Sequence, residues 1–240
     1  MNFDELDQVK FDGAQEEAQL KGVVDIIFLL DVTGSMGPAI VELGKNMINF
    51  VNSIDKNLVS DFKVKIASFG DFETDSEDIK FNLNRNFTDD SQQIYNDFLD
   101  VIELIKKKGG HDLPESSLDA LYKTIQEGFS SDWSERTRVV VLFSDAVSKE
   151  LQKDTIAIDL PAEEKLQMLA QILNDNRVRT YIYAPNDTNM ITLSQLCSEY
   201  LVYNAIDENG TNPVEALRKL DFKEEMKILA KVVSQPSLVM

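Results

Sequence analysis

The sequence predicts an α/β fold: a doubly wound, mostly parallel sheet with one antiparallel edge hairpin and helices on both faces. Three observations carry this. Val23 to Leu30 and Val139 to Phe143 are short apolar runs rich in Val, Ile and Phe, the pattern of strands buried on both faces. Such runs alternate with segments whose apolar residues recur at helical spacing, the order of an open sheet covered by crossover helices. Both runs then stop on acids and hydroxyls, Asp31-Val32-Thr33-Gly34-Ser35 and Ser144-Asp145, at the carboxyl ends where such sheets bind ligands.

With 240 residues, 43% of them hydrophobic, the chain can bury one large α/β core. The expected organisation is an acidic N-terminal segment over 1–21, an α/β domain over 22–205 and a C-terminal helical extension over 206–240. The formal net charge of −18 is the wrong sign for tracking phosphates, which argues against nucleic acid as a partner. Cys197 is the sole cysteine, so neither an internal disulfide nor a zinc site of several thiolates can form. The start, Met1 to Asp7, is acidic and lacks a basic stretch followed by an apolar one, and no apolar run approaches the roughly 20 residues of a membrane span. A soluble, cytoplasmic protein without membrane contact is the expectation.

In chain order, residues 2–20 are acidic with scattered apolar positions, Phe3, Leu6, Val9, Phe11 and Leu20, open to helical packing on the main domain. After the first strand, Pro38 suits the first turn of a helix, where its missing N–H is no loss. Ile40, Val41, Leu43, Met47, Ile48, Phe50, Val51 and Ile54 give that helix a broad apolar face. Phe62 to Phe69 and Ile79 to Phe87 alternate with period two, and the acidic link Gly70 to Asp78 between them predicts a hairpin at a half-exposed sheet edge. Ser91 is placed to cap the next helix. Ile94, Phe98, Val101, Ile102 and Ile105 form its face, Lys106 to Lys108 suit its C-terminal dipole, and Gly109-Gly110 ends it.

Pro114 opens another helix, with Leu118, Leu121, Tyr122, Ile125 and Phe129, before the strand Val139 to Phe143. A long connection, 146–160, precedes a helix from Pro161 with Leu166, Leu169, Ile172 and Leu173 inward. Val178 to Tyr183 is a further strand, Leu193 to Cys197 lies in a short helix, and Tyr200 to Tyr203 forms the last strand. Asn212-Pro213 is a cap and first-turn proline for a C-terminal helix carrying Val214, Leu217 and Leu220, which continues past a kink to Met226 and Leu229.

Asp31, Thr33 and Ser35 put one carboxylate and two hydroxyls just past a strand end, oxygen ligands of the kind a hard divalent cation such as Mg²⁺ takes. The plainer alternative is that the hydroxyls cap the following helix. Asp31-Val32-Thr33-Gly34-Ser35-Met36 resembles the metal-ion-dependent adhesion site of von Willebrand factor type A (VWA) domains, and the strand–helix series over about 22–205 agrees with that fold. The loop Gly109-Gly110-His111-Asp112-Leu113-Pro114-Glu115 resembles the variant of cytoplasmic bacterial and kinase-associated members, and Phe143-Ser144-Asp145-Ala146 matches the family's third metal loop.

The resemblance implies that Thr33 and Ser35 hold the cation through their hydroxyls and that Asp31 and Asp145 contact it, often through water. It also implies that Asp112 stands where adhesion domains carry a threonine. Mg²⁺ is the implied ion, with Mn²⁺ or Ca²⁺ as substitutes. Three aspartates around a divalent ion leave a formal local charge of about −1, which weakens the pull on an incoming carboxylate. The resemblance therefore argues for a bound cation more than for capture of a partner's carboxylate.

Asp71, after the second strand, either joins the outer shell of that site or belongs to a solvated acidic loop with Glu73, Asp75, Glu77 and Asp78; the loop is the expectation. His111 is the only histidine and has no identifiable serine or cysteine partner for catalysis. Cys197 reads as a buried thiol, and Trp133 either meets a partner or covers the sheet edge. The Asp-Thr-Gly of aspartic proteases does not apply, because Val32 intervenes and no second copy exists. Gly44-Lys45-Asn46 lacks the Ser or Thr of a phosphate-binding loop, and no G-x-S-x-G elbow surrounds a serine.

The resulting reading is a non-enzymatic module that uses its metal-bearing loops to bind another protein. The alternative is a Mg²⁺-dependent hydrolase or phosphotransferase with Asp31 or Asp145 as nucleophile or base. Against it, no Lys or Arg is expected close to either acid, since Arg136 and Arg138 fall at the opposite end of their strand. A third reading makes the site purely structural and gives partner binding to the acidic N-terminal segment.

Overall fold

The computed structural model describes residues 22–83, 85–108, 114–129, 136–156, 159–206 and 212–234. The expectations placed on 1–21, on 109–113 with Asp112 and His111, and on Trp133 lie outside the described residues.

The first strand, β1 (Gly22–Asp31), sends Val24, Ile26, Phe28 and Leu30 to one face and Ile27 and Leu29 to the other, all of them buried. A strand apolar on both sides needs a sheet covered twice. A 3₁₀ turn, Gly34–Met36, leads into α1 (Gly37–Ser53), which has Pro38 in its first turn. β2 (Val59–Phe69), α2 (Glu77–Lys80), β3 (Phe81–Asn82), α3 (Ser91–Lys108) and α4 (Ser117–Glu127) follow. The second half holds β4 (Thr137–Phe143), α5 (Lys153–Ile156), α6 (Ala162–Asp175), β5 (Arg179–Ala184), α7 (Thr188–Leu196), β6 (Leu201–Ala205), α8 (Pro213–Lys219) and α9 (Phe222–Ser234).

Among the described residues the strands form one sheet in the order β3-β2-β1-β4-β5-β6, parallel throughout except for β3. The predicted doubly wound sheet is thus observed, and its switch point lies between β1 and β4. One core packs α1, α3 and α9 on the sheet through Ile40, Leu43, Met47, Phe50, Phe98, Met226 and Leu229. The other packs α4, α6 and α7 through Leu121, Leu169, Leu173 and Leu193. Each fully buried side chain of this size contributes about 1.5–3 kcal/mol. Phe28 anchors the first core edge-on to Phe50, with ring centroids 5.5 Å apart. Gly44 lets α3 come close, since a Cβ there would lie 3.2 Å from the Phe98 Cβ.

Several boundaries differ from the sequence expectation, each for a local reason. The antiparallel edge is present but short: β3 pairs only Ser68 with Asn82 and Phe69 with Phe81, and a separate bridge joins Val64 to Thr88. Ile79 and Lys80 lie in a helical turn instead. The Asp71 carboxylate accepts from the Glu73 N–H and the Thr74 hydroxyl, and the Asp75 carboxylate accepts from the Asp71 N–H, which curls the link. Asp90, not Ser91, caps α3, its Oδ1 accepting from the N–H groups of Gln92 at 2.8 Å and Gln93 at 3.3 Å.

Pro114 does not open a helix. Pro114 lies in a bend, Glu115 bridges in parallel to Ser148, and α4 starts at Ser117, ending before Phe129. Ile48 is 50% exposed and stays out of the core. The C-terminal helix is two helices: Leu220 is extended (φ −61°, ψ 130°) and Asp221 caps the second through the Glu224 N–H. Asn212 caps the first as expected, accepting from the Val214 N–H at 3.0 Å. Phe222, Met226, Leu229, Ala230 and Val233 of α9 belong to the same core as α1.

Candidate metal centre

Asp31 closes β1 with no exposed surface. In-register pairing of β1 and β4 runs up to Leu30 opposite Phe143, so Ser144 emerges beside Asp31. The Ser144 hydroxyl donates to Asp31 Oδ2 at 2.7 Å, and Asp31 Oδ1 accepts the Thr33 N–H at 2.8 Å. The carboxylate is thereby fixed in one orientation.

Thr33 is extended (φ −61°, ψ 151°) before the 3₁₀ turn, and neither that turn nor α1 has a side-chain cap hydrogen bond. The capping alternative therefore does not hold. The hydroxyls instead meet Asp145: Thr33 Oγ1 donates to Asp145 Oδ1 at 3.3 Å, and Ser35 Oγ donates to Thr33 Oγ1 at 3.4 Å. Both are long for O–H···O bonds, which centre near 2.7–2.8 Å. Neighbouring oxygens around an octahedral Mg²⁺ lie about 3 Å apart, given bonds of roughly 2.1 Å.

Asp145 is 3% exposed, and its Oδ2 is buried without a hydrogen-bond partner among the described residues. Burial pushes its carboxyl pKa up, opposed by the Ser35 and Thr33 hydroxyls, its own backbone and the charge of Arg218. Two hydroxyls, a fixed carboxylate and an under-satisfied carboxylate oxygen thus share one crevice. The donor set fits a hard divalent cation. Among the described residues, no three His, Cys, Asp or Glu side chains gather into a metal-binding group; Asp112, the third predicted carboxylate, lies outside them.

Asp71 is not solvated. It has no exposed surface; its Oδ1 accepts from Ser116 Oγ at 3.2 Å and Lys149 Nζ at 2.9 Å, and its Oδ2 from Thr74 Oγ1 at 2.7 Å. Lys149 also reaches Glu73 at 2.8 Å. Arg136 lies at the opposite end of the sheet as expected, bridging Asp25 at 2.6 Å and Asp61 at 2.8 Å. Cys197 is 1% exposed, and burial raises its thiol pKa to about 11. Sequence reasoning missed Arg218, whose charge reaches Asp145 from the last turn of α8. Its place depends on how the C-terminal helices return to the tip of β4, which no local pattern encodes. The role of Ser144 was signalled only by its position before Asp145.

A mostly parallel α/β sheet, doubly wound about a switch point between β1 and β4, defines the class of open doubly wound domains. Within it, the chain belongs to the von Willebrand factor type A domain family, whose model matches residues 25–217. Among solved structures, the fold resembles the pilus adhesin SpaC from Lactobacillus rhamnosus GG, with a TM-score of 0.58 and 12% identity over 90% of this chain and 31% of that one. The VWA domain of SpRpn10 matches with a TM-score of 0.49 and 15% identity over 83% of this chain and 96% of that one. None of the curated proteins matches its sequence. Among the described residues, no helix is long and apolar enough to cross a membrane.

Proposed function

We propose that this chain is a protein-binding module whose binding face is organised by a divalent cation, Mg²⁺ in the first instance, at the carboxyl end of the sheet. Thr33, Ser35 and Asp145 would hold it, with Asp112 adding a ligand from its glycine loop and Asp31 contributing from the floor of the crevice. A bound ion would supply the positive charge that ties these loops into one surface. The observation that carries the reading is the convergence of two hydroxyls, neither of them capping a helix, on a buried Asp145 whose Oδ2 has no hydrogen-bond partner among the described residues. Membership of the VWA family supports protein binding as the use of that face. The single buried thiol supports a reducing, cytoplasmic setting.

The test has two parts. Millimolar Mg²⁺ should raise the melting temperature, and chelator should reverse this; no shift sinks the cation. A specific protein captured by the full chain should be released by chelator while the fold persists, as judged by circular dichroism. Capture that ignores chelator would leave the site without a role in binding.

A further inference from the structure

Beside the candidate metal centre runs a groove of about 370 Å³, lined by Pro38, Ala39, Val41, Glu42 and Lys45 of α1, Arg218 of α8 and Phe222 of α9. It starts where that centre ends. Pro38 is three residues past Ser35, and the Phe222 ring packs on Phe143, just before Ser144-Asp145, at 6.1 Å. Ala39 and Phe222 are buried at 2% and 3%, so they form its floor. Val41 lies along one wall. Ile48, seven residues on and hence on the same helical stripe, is 50% exposed and extends the apolar line.

The charges in this groove run against the rest of the molecule. On a chain of net charge −18, it carries two cations and one acid. Lys45 is paired with Glu42 at 3.0 Å. Arg218 is exposed and, among the described residues, makes no ion pair; its charge is felt by Asp145. An exposed guanidinium at the lip of an apolar groove presents a planar fork that matches a carboxylate in bidentate fashion. A carboxylate arriving there also avoids the acid-crowded cation site.

We propose that this groove is the specificity subsite of the binding face. It takes a short acidic–apolar segment of the partner, with an apolar side chain on Ala39, Val41 and Phe222 and a carboxylate on Arg218. This rests on the protein-binding function proposed above and names the chemistry of the partner.

The test is selection of a random dodecapeptide library displayed on phage against the full chain in millimolar MgCl₂, followed by fluorescence polarisation of the selected peptides. Peptides that carry Asp or Glu next to Leu or Phe are expected. Arg218→Glu should weaken them roughly fivefold to tenfold, the size of an exposed ion pair lost and replaced by repulsion, with Arg218→Lys in between and Val41→Asp also weak. Melting curves confirm that each variant is folded. Selected peptides that are basic or uncharged, peptides that bind Arg218→Glu like the wild type, or a selection that yields no binder would each overturn the proposal. Repeating the measurement in EDTA separates the two ideas. Binding that ignores chelator but still depends on Arg218 removes the cation and keeps the groove; binding that needs Mg²⁺ but ignores Arg218 does the reverse.

Discussion

The substitution Asp145→Asn should have opposite effects on stability with and without Mg²⁺. The Asp145 carboxylate is buried, and its Oδ2 has no hydrogen-bond partner among the described residues. An unsatisfied buried group of this kind costs about 1–3 kcal/mol. An amide in its place carries no charge and can donate to Thr33 Oγ1, so a gain of about 1 kcal/mol is expected in EDTA, or about 2–4 °C in Tm for a domain of this size. With Mg²⁺ at a hundredfold excess over its Kd, the wild type gains about 2.7 kcal/mol by mass action, roughly 5–10 °C on the same scaling. The variant, lacking a charged ligand, gains little. The two proteins should therefore exchange order between EDTA and millimolar MgCl₂ in calorimetric melts at neutral pH. A variant that melts below the wild type in EDTA and keeps the full Mg²⁺ shift would show that Asp145 is structural and the reasoning wrong. Asp31→Ala discriminates less well, because it strands the Thr33 N–H and leaves the Ser144 hydroxyl only the longer 3.2 Å contact with the Ala146 carbonyl, and would unsettle the fold by itself.

Three further outcomes follow from buried groups elsewhere. Burial alone would raise the Asp71 pKa, but the Thr74 and Lys149 hydrogen bonds, the Glu73 N–H and the Lys149 charge outweigh it and hold the group below its ordinary 3.8. Its contribution is thus complete above that value and lost as pH falls through the folded pKa; Asp71→Asn should lower stability at neutral pH and flatten the acid limb of urea-derived stability, and an unchanged acid limb would refute this. The Cys197 thiol, raised to about 11 and 1% exposed, should react with a disulfide reagent at neutral pH only as fast as the chain opens, so prompt native labelling would contradict its burial. A Cβ at Gly128 would sit 2.3 Å from the Thr124 carbonyl oxygen and 2.8 Å from Ile27 Cδ1; Gly128→Ala should cost about 1–3 kcal/mol by overpacking, and an unaltered melt would rule out the crowding.

The sequence made the strands and their faces legible because burial leaves a period. Apart from Asp25, which pairs with Arg136, Val24 to Leu30 and Val139 to Phe143 are apolar throughout, and Asp31 and Asp145 stand out as the points where that pattern stops. Polar pairing across the fold leaves no period. Asp71 looks like one acid in a run of acids until Ser116 and Lys149, 45 and 78 residues away, close on it. Local competition was also hard to rank: Asp90 and Ser91 are both good caps, and only the geometry shows the carboxylate winning. The edge strand was overestimated because the alternation at Ile79 and Phe81 is real, yet the side-chain bonds of Asp71 and Asp75 bend the backbone before it can pair.

The sheet also explains why positive charge can reach Asp145 only from outside the strands. β1 and β4 pair in register up to Leu30 and Phe143, which sets Ser144 on Asp31 and leaves the floor of the crevice rigid. Beyond that point the chains part, α1 to one face and the segment through Ile156 to the other. Neither strand then offers Asp145 a cationic side chain, so positive charge has to approach it from above. Arg218 does so only weakly, from an exposed position where water screens it. Like charges repel, so Arg218 also opposes a cation bound at Asp145. Arg218→Glu should therefore tighten Mg²⁺ binding severalfold in isothermal calorimetry while it weakens the acidic peptides. Effects of opposite sign cannot come from a general loosening of the fold. If the substitution weakens both ligands in parallel, Arg218 is a structural support for the loops, and neither its repulsion of the cation nor its role in the groove survives.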